Sequence, residues 1–110
     1  MQDLIIELNA LRKALNQAID EFKKRGRDKA KAEHDYRIAL AQEILILRDE
    51  EKKGVTLIPD LARGKREIAK LKFNRDFAET LYESCQQYIY LKKKELDIVE
   101  RQIQAERKGE

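Results

Sequence analysis

The stretch that decides the fold is residues 68–103, IAKLKFNRDFAETLYESCQQYIYLKKKELDIVERQI. Residues three and four positions apart form one stripe in it, which is the spacing of a coiled-coil seam. The members of this seam are Ile68, Leu71, Arg75, Ala78, Tyr82, Cys85, Ile89, Lys92, Leu96, Val99 and Ile103. The stretch therefore predicts a long helix that packs against another helix.

A similar stripe occupies the first half of the chain. Its members are Leu4, Leu8, Leu11, Leu15, Phe22, Tyr36, Leu40, Ile44 and Leu47. The only proline, Pro59, lies between the two stripes, where it forbids a continuous helical ladder. We expect a single domain over 1–110, with helices at about 3–53 and about 65–108 and a turn at about 54–64.

Composition supports this all-α, antiparallel helical hairpin. The chain has 110 residues, of which 42% are hydrophobic and 41% charged, as in long exposed helices. Its 24 basic and 21 acidic side chains are interleaved, unlike those of an obligate nucleic-acid binder. No apolar run approaches the roughly 18 residues of a membrane helix, so we expect a cytoplasmic protein without a membrane partner.

Each predicted helix has more apolar residues than one seam needs. The second helix has an additional row, Phe73, Phe77, Leu81, Tyr88, Leu91 and Ile98. The first helix has Ile5, Ile6, Ile19, Ile38, Leu45 and Ile46 outside its main stripe. A two-helix hairpin buries one seam, so the surplus predicts a homodimer that forms a four-helix bundle.

A reversal near residue 58 or 59 predicts which residues of the two helices face each other. Positions in contact should have numbers that add up to roughly 113 to 118. Leu47 would then meet Ile68 or Leu71, Tyr36 would meet Tyr82, and Leu15 would meet Val99 or Ile103. Two seam positions are charged, Arg75 and Lys92, and such charges help to set the register of a coiled coil. Glu43 or Glu79 is the expected partner of Arg75.

No residue pattern predicts catalysis, a cofactor or a metal site. The only histidine, His34, lacks the Glu-x-x-His spacing of carboxylate-rich metal sites in helical bundles, because Lys31 lies three residues before it. The only cysteine, Cys85, lies on the seam and is expected to be a small core residue. The segment Ala-Arg-Gly-Lys-Arg lacks the second glycine and the hydroxyl of a phosphate-binding loop. We therefore expect a non-enzymatic protein.

Two surfaces are candidates for binding. The tip of the hairpin combines apolar and charged residues and is the candidate site for a protein partner: Leu57, Ile58, Asp60, Leu61 and Arg63. The plainer interpretation is that these residues only cap the core of the hairpin. The alternative is a basic belt that holds nucleic-acid phosphates without reading bases. Its members are Lys23, Lys24, Arg25, Arg27, Lys29, Lys31, Lys92, Lys93 and Lys94. The expected register places Lys92 to Lys94 beside Lys23 to Arg25; a solvated charged face is the plainer interpretation of these residues.

Three phrases of the chain resemble a family of small coiled-coil proteins encoded by phages and prophages of Gram-positive bacteria. They are DYRIALA at 35–41, TLIPDLARG at 56–64 and NRDFAETLY at 74–82, and the resemblance extends over most of the chain. Such genes tend to lie near recombination and replication genes. The resemblance implies an accessory role in phage DNA metabolism, or interference with a host factor, in the cytoplasm of the bacterial host. It implies no catalytic or ligand-binding residue.

Overall fold

The computed structural model describes residues 1–50 and 57–109. Within these ranges the chain forms three helices and no strand: α1 (Gln2–Glu50), α2 (Ile58–Gly64) and α3 (Arg66–Gly109). The all-α prediction is confirmed, while the predicted end of the first helix at about residue 53 lies outside the described residues. The first residues of the predicted turn, 54–56, also lie outside the described residues. No helix in the described ranges is long and apolar enough to cross a membrane.

The long helices follow from the distribution of helix-breaking residues. α1 continues through Gly26 without interruption, although a glycine inside a helix costs about 1 kcal/mol relative to alanine. Asp3 lies in its first turn and Arg48 in its last, so each charge opposes the local partial charge of the helix dipole. α3 has the same arrangement, with Glu67 in its first turn and Lys108 in its last.

The short helix α2 begins where proline is tolerated. Pro59 lies in its first turn, in which a backbone N–H would have no partner inside the helix. Leu57 is the N-cap residue and its side chain makes no capping hydrogen bond. At the other end Lys65 has extended backbone angles, φ −67° and ψ 138°, and its N–H donates to the carbonyl oxygen of Ala62 at 3.2 Å. This residue separates α2 from α3.

The chain divides into two compact units. The terminal unit contains residues 1–25 and 82–110, and the central unit contains residues 26–81. In the terminal unit Leu11, Val99 and Ile103 form a buried cluster. Four partly buried side chains pack against this cluster: Met1, Leu4, Leu8 and Leu96. The start of α1 therefore packs against the end of α3, which is the antiparallel arrangement of a helical hairpin.

In the central unit the end of α1 packs against α2. Leu47, Ile58 and Ala62 form its buried cluster, with Leu40 and Ile44 packed beside it. Ile58 already packs against Leu47 of α1, so the contacts between α1 and the following helices include α2. α2 thus takes the place opposite Leu47 that the sequence-based register assigned to Ile68 or Leu71.

The predicted register is wrong because α2, and not the start of α3, packs against Leu47 at the end of α1. In the terminal unit Tyr82 stacks on Phe22, with 4.6 Å between ring centroids, instead of meeting Tyr36. Leu11, rather than Leu15, contributes the buried α1 side chain in the cluster with Val99. The partners on α1 lie closer to the N-terminus than predicted, because α2 occupies the last turns of the hairpin.

Candidate functional site

The residues proposed as the tip lie on two faces of α2, one buried and one exposed. Ile58 is only 3% exposed and belongs to the core of the central unit, so its assignment to a partner-binding surface is wrong. Leu57 and Leu61 are 56% and 42% exposed. The missed residue is Ala62, which is fully buried four positions after Ile58. The i, i+4 spacing of this pair was the sequence signal for the buried face.

The polar residues of the tip flank the exposed leucines. An Arg63 guanidinium nitrogen lies 3.5 Å from a carboxylate oxygen of Asp60, one turn earlier on α2. A shallow groove of about 370 Å³ is lined by Leu47, Asp60, Leu61, Gly64 and Lys65. The groove combines the apolar side chains of Leu47 and Leu61 with the charged side chains of Asp60 and Lys65, and this combination suits contact with another polypeptide.

An ion pair holds the residue between α2 and α3 against α1. Lys65 pairs with Glu43, whose side chain is mostly buried. Glu43 was one of two predicted partners for Arg75, and that assignment is wrong. Since the pair joins α1 to the end of α2, it helps to hold the tip in place.

Arg75 instead interacts with three other side chains of the central unit. Its guanidinium lies 4.5 Å from the centre of the Tyr36 ring and 3.6 Å from a Glu33 carboxylate oxygen. It also donates to Asp76 at 3.0 and 3.1 Å, and this hydrogen bond is the main reason why the pKa of Arg75 is raised. The charge at this seam position is therefore satisfied by aromatic and acidic neighbours rather than by Glu43 or Glu79.

The basic residues of the terminal unit do not form the predicted belt. The stacking of Phe22 on Tyr82 places Lys23 to Arg25 near the Tyr82 level of α3. Lys92 follows ten residues later, which is about 15 Å along a helix. The predicted placement of Lys92 to Lys94 beside Lys23 to Arg25 is therefore wrong.

Several of these cations have partners nearby on the same helix. Arg25 pairs with Glu21 at 2.9 Å and Lys92 with Glu95 at 3.2 Å. The ammonium of Lys94 lies 4.6 Å from the centre of the Tyr90 ring. Such exposed contacts on one helix face stabilise by a few tenths of a kcal/mol and partly neutralise the charge.

The remaining predicted cations belong to the central unit. Arg27 and Lys31 are exposed there and Lys29 is partly buried, while Lys31 lies 3.9 Å from Asp35. Lys23, Lys24 and Lys93 are exposed in the terminal unit. The role of these basic residues in nucleic-acid binding stays a prediction.

The two residues with reactive side chains have ordinary surroundings. His34 is exposed and its Nδ1 lies 3.7 Å from Asp35. Cys85 is partly buried and its Sγ donates to the carbonyl oxygen of Ala18 at 3.5 Å. In the part of the chain that the structure describes, no group of three or more His, Cys, Asp or Glu residues is placed to hold a metal ion.

Most of the surplus apolar residues are exposed, whereas Ile19 and Leu81 are partly buried. On α3 Phe73 and Phe77 stack on each other at 6.2 Å and are more than half exposed. Other large exposed apolar residues in the described ranges are Ile5, Ile6, Ile38, Leu45, Ile46, Tyr88, Tyr90, Leu91 and Ile98.

Comparison with known proteins adds no further assignment, since no family model, curated protein or solved structure matches the chain.

Proposed function

We propose that this chain is a non-enzymatic interaction protein that binds a protein partner through the exposed face of α2. The observation that carries the proposal is the two-sided character of this short helix. Its inner face is anchored in the core by Ile58 and Ala62, while its outer face presents Leu57 and Leu61 to solvent. An anchored helix loses little conformational freedom on binding, and exposed leucines supply the apolar area that a partner can cover.

The distribution of apolar residues supports an interaction role for the rest of the surface. Among the described residues nine hydrophobic side chains are buried, whereas thirteen large hydrophobic side chains are exposed. A solvated helical hairpin gains nothing from such an excess, because exposed apolar clusters promote association. We therefore also propose self-association into a four-helix bundle, with the phage-type accessory role that the resemblance implies, in DNA metabolism or host interference, in the cytoplasm of a bacterial host.

The test compares the wild-type chain with two variants that each lose two exposed apolar residues of the central unit. Leu57→Ser/Leu61→Ser alters the tip, and Leu45→Ser/Ile46→Ser is the matched control. Each immobilised protein is exposed to a lysate of phage-infected Gram-positive cells, and proteins retained by the wild type are purified and titrated by calorimetry. We expect the tip variant to bind the purified partner at least tenfold more weakly and the control to bind like the wild type. Equal binding by the tip variant would refute the proposal.

A second candidate function is sequence-nonspecific binding of nucleic acid. It is favoured by the exposure of Lys23, Lys24, Lys93 and Arg27, with Lys94 beside an exposed tyrosine. This function is disfavoured by the distance along the helices between Lys23 and Lys24 on α1 and Lys93 and Lys94 on α3. Binding of labelled single- and double-stranded DNA, at low and at moderate salt, tests it against a Lys23→Gln/Lys24→Gln/Lys93→Gln/Lys94→Gln variant. Absence of wild-type binding at low salt would eliminate this function, since phosphate contacts are strongest there.

A further inference from the structure

One face of α3 has the pattern of a second coiled-coil seam. Its members follow one another at intervals of three or four residues, and we refer to them as the outer stripe: Phe73, Phe77, Leu81, Ser84, Tyr88, Leu91, Glu95 and Ile98. From Leu81 onward these positions alternate in the same way as the seam that α3 uses against α1, whereas Phe73, Phe77 and Leu81 follow one another at two steps of four. The partner that fits such a stripe is another α-helix.

Most apolar members of the outer stripe are exposed, and Leu81 is partly buried. Five large side chains of the stripe, Phe73, Phe77, Tyr88, Leu91 and Ile98, are each about half exposed or more. Side chains of this size present roughly 150 to 250 Å² each, so the stripe offers on the order of 500 Å² per chain. Two copies would bury roughly 1,000 Å² in total, which reaches the size that a specific interface needs.

The charges of α3 select the direction of the pairing. Glu95 lies within the stripe and contacts Lys92 of its own chain at 3.2 Å, which leaves its carboxylate exposed to a second cation. Lys70 is exposed on the same face one turn before Phe73. In a parallel, in-register pair each charge would meet its own copy. In an antiparallel pair Glu95 of one chain lies opposite Lys70 of the other when facing residue numbers add up to about 165. By symmetry the pair of opposite charges then occurs twice.

The same antiparallel register matches the apolar residues. Phe77 lies opposite Tyr88 and Leu81 lies opposite Ser84. Phe73 lies opposite Lys92 and beside Leu91, while Ile98 lies opposite Glu67 at the end of the interface. The bulky aromatic ring of Phe77 thus meets another ring, and the small Ser84 leaves room for Leu81 near the two-fold axis. No charge is left opposite a like charge within the stripe, which removes the repulsion that disfavours the parallel arrangement.

From these observations we infer that two copies of this chain associate through the outer stripe of α3, antiparallel, with Lys70 of each chain paired to Glu95 of the other. The inference rests on the proposed interaction role, because it treats part of the exposed apolar surface as an interface between copies. It goes further by naming the helix, its direction and its register. The tip residues on α2 are not part of this interface.

The first experiment measures the dimer dissociation constant by sedimentation equilibrium. Leu91→Ser should raise the dissociation constant at least tenfold. Tyr90→Ser is the matched control and should leave the constant within twofold of the wild type. The two side chains are similarly exposed, Tyr90 by 53% and Leu91 by 56%, but only Leu91 lies on the stripe. Lys70→Glu and Glu95→Lys should each raise the dissociation constant at least threefold, and the double variant should return it to within twofold of the wild type. Circular dichroism checks that each variant keeps its helical content.

The second experiment measures the direction. In a Cys85→Ala background, a nitroxide label is attached at Gln104 and the distance between the labels of the two chains is measured. At about 1.5 Å per residue, antiparallel α3 helices should give a distance of about 65 Å. Parallel helices should give less than about 25 Å. A label at Glu83, near the two-fold axis, should give a short distance. A monomer at all concentrations, a short distance at Gln104 or a double charge variant that stays weak would each overturn the inference. None of these outcomes affects the tip-variant titration, so the proposed partner binding can fail or succeed separately.

Discussion

Replacing Ile58 with alanine tests whether α2 is a structural part of the hairpin. Ile58 is 3% exposed and packs against Leu47 and Ala62. The substitution removes three carbon atoms, each worth about 0.8 kcal/mol when buried, and leaves a cavity that the rigid cluster fills only in part. We expect the free energy of unfolding to fall by about 3 kcal/mol. This is a large share of the roughly 5 to 15 kcal/mol of a typical domain.

The assay is urea unfolding followed by circular dichroism at 222 nm, at one fixed protein concentration so that self-association does not alter the comparison. With a slope of about 2 kcal/mol per molar urea, the midpoint should shift by about 1.5 M. Leu57→Ala is the control, because it removes as many carbon atoms from a side chain that is 56% exposed, and should cost less than about 0.5 kcal/mol. If the two variants unfold at the same midpoint, Ile58 is not a core residue and the division of α2 into two faces is refuted.

Three further sites in the structure give independent predictions. Gly64→Ala should stabilise the protein by about 0.4 to 1 kcal/mol in thermal unfolding, because Gly64 has no positive φ and an added Cβ meets no atom within 4 Å; a lower melting temperature would contradict this. A double-mutant cycle of Phe22→Leu and Tyr82→Leu should give a coupling of about 0.5 to 1.5 kcal/mol for their stacked rings, and strictly additive effects would show that the rings do not interact. A cycle of Glu43→Gln and Lys65→Met should give a coupling that decreases between 0.05 and about 0.5 M NaCl; a coupling of zero at low salt would exclude the ion pair.

The helices and their faces were predictable because they depend on local spacing. The three-and-four alternation from Ile68 to Ile103 predicts a helix whatever its partner is, and Pro59 predicts the break before it. The exposure of Phe73 and Phe77 was predictable for the same reason, since both fall outside the seam. The division of the candidate tip into buried Ile58 and exposed Leu57 and Leu61 could be read from the spacing on α2, whereas its role in partner binding stays a prediction.

The contacts between helices were less predictable because several registers bury a similar number of apolar residues. The apolar stripe of α1 accepts the seam of α3 at more than one offset, and a shift changes every pair at little cost in buried area. The choice of Glu33 and Tyr36, rather than Glu43, as neighbours of Arg75 follows from that offset. The basic belt failed as a prediction because it depended on the register and not on the spacing within one helix.

The sequence by itself determined that this protein is all-α, where its long helices lie and which rows of apolar residues remain outside the seams, because helix periodicity is a property of neighbouring residues. Only the tertiary structure decided where the chain turns back, since that depends on Ile58 and Ala62 of α2 finding Leu47 on α1. This long-range contact sets the register. It also buries one face of the tip and leaves the other, with Leu57 and Leu61, on the surface.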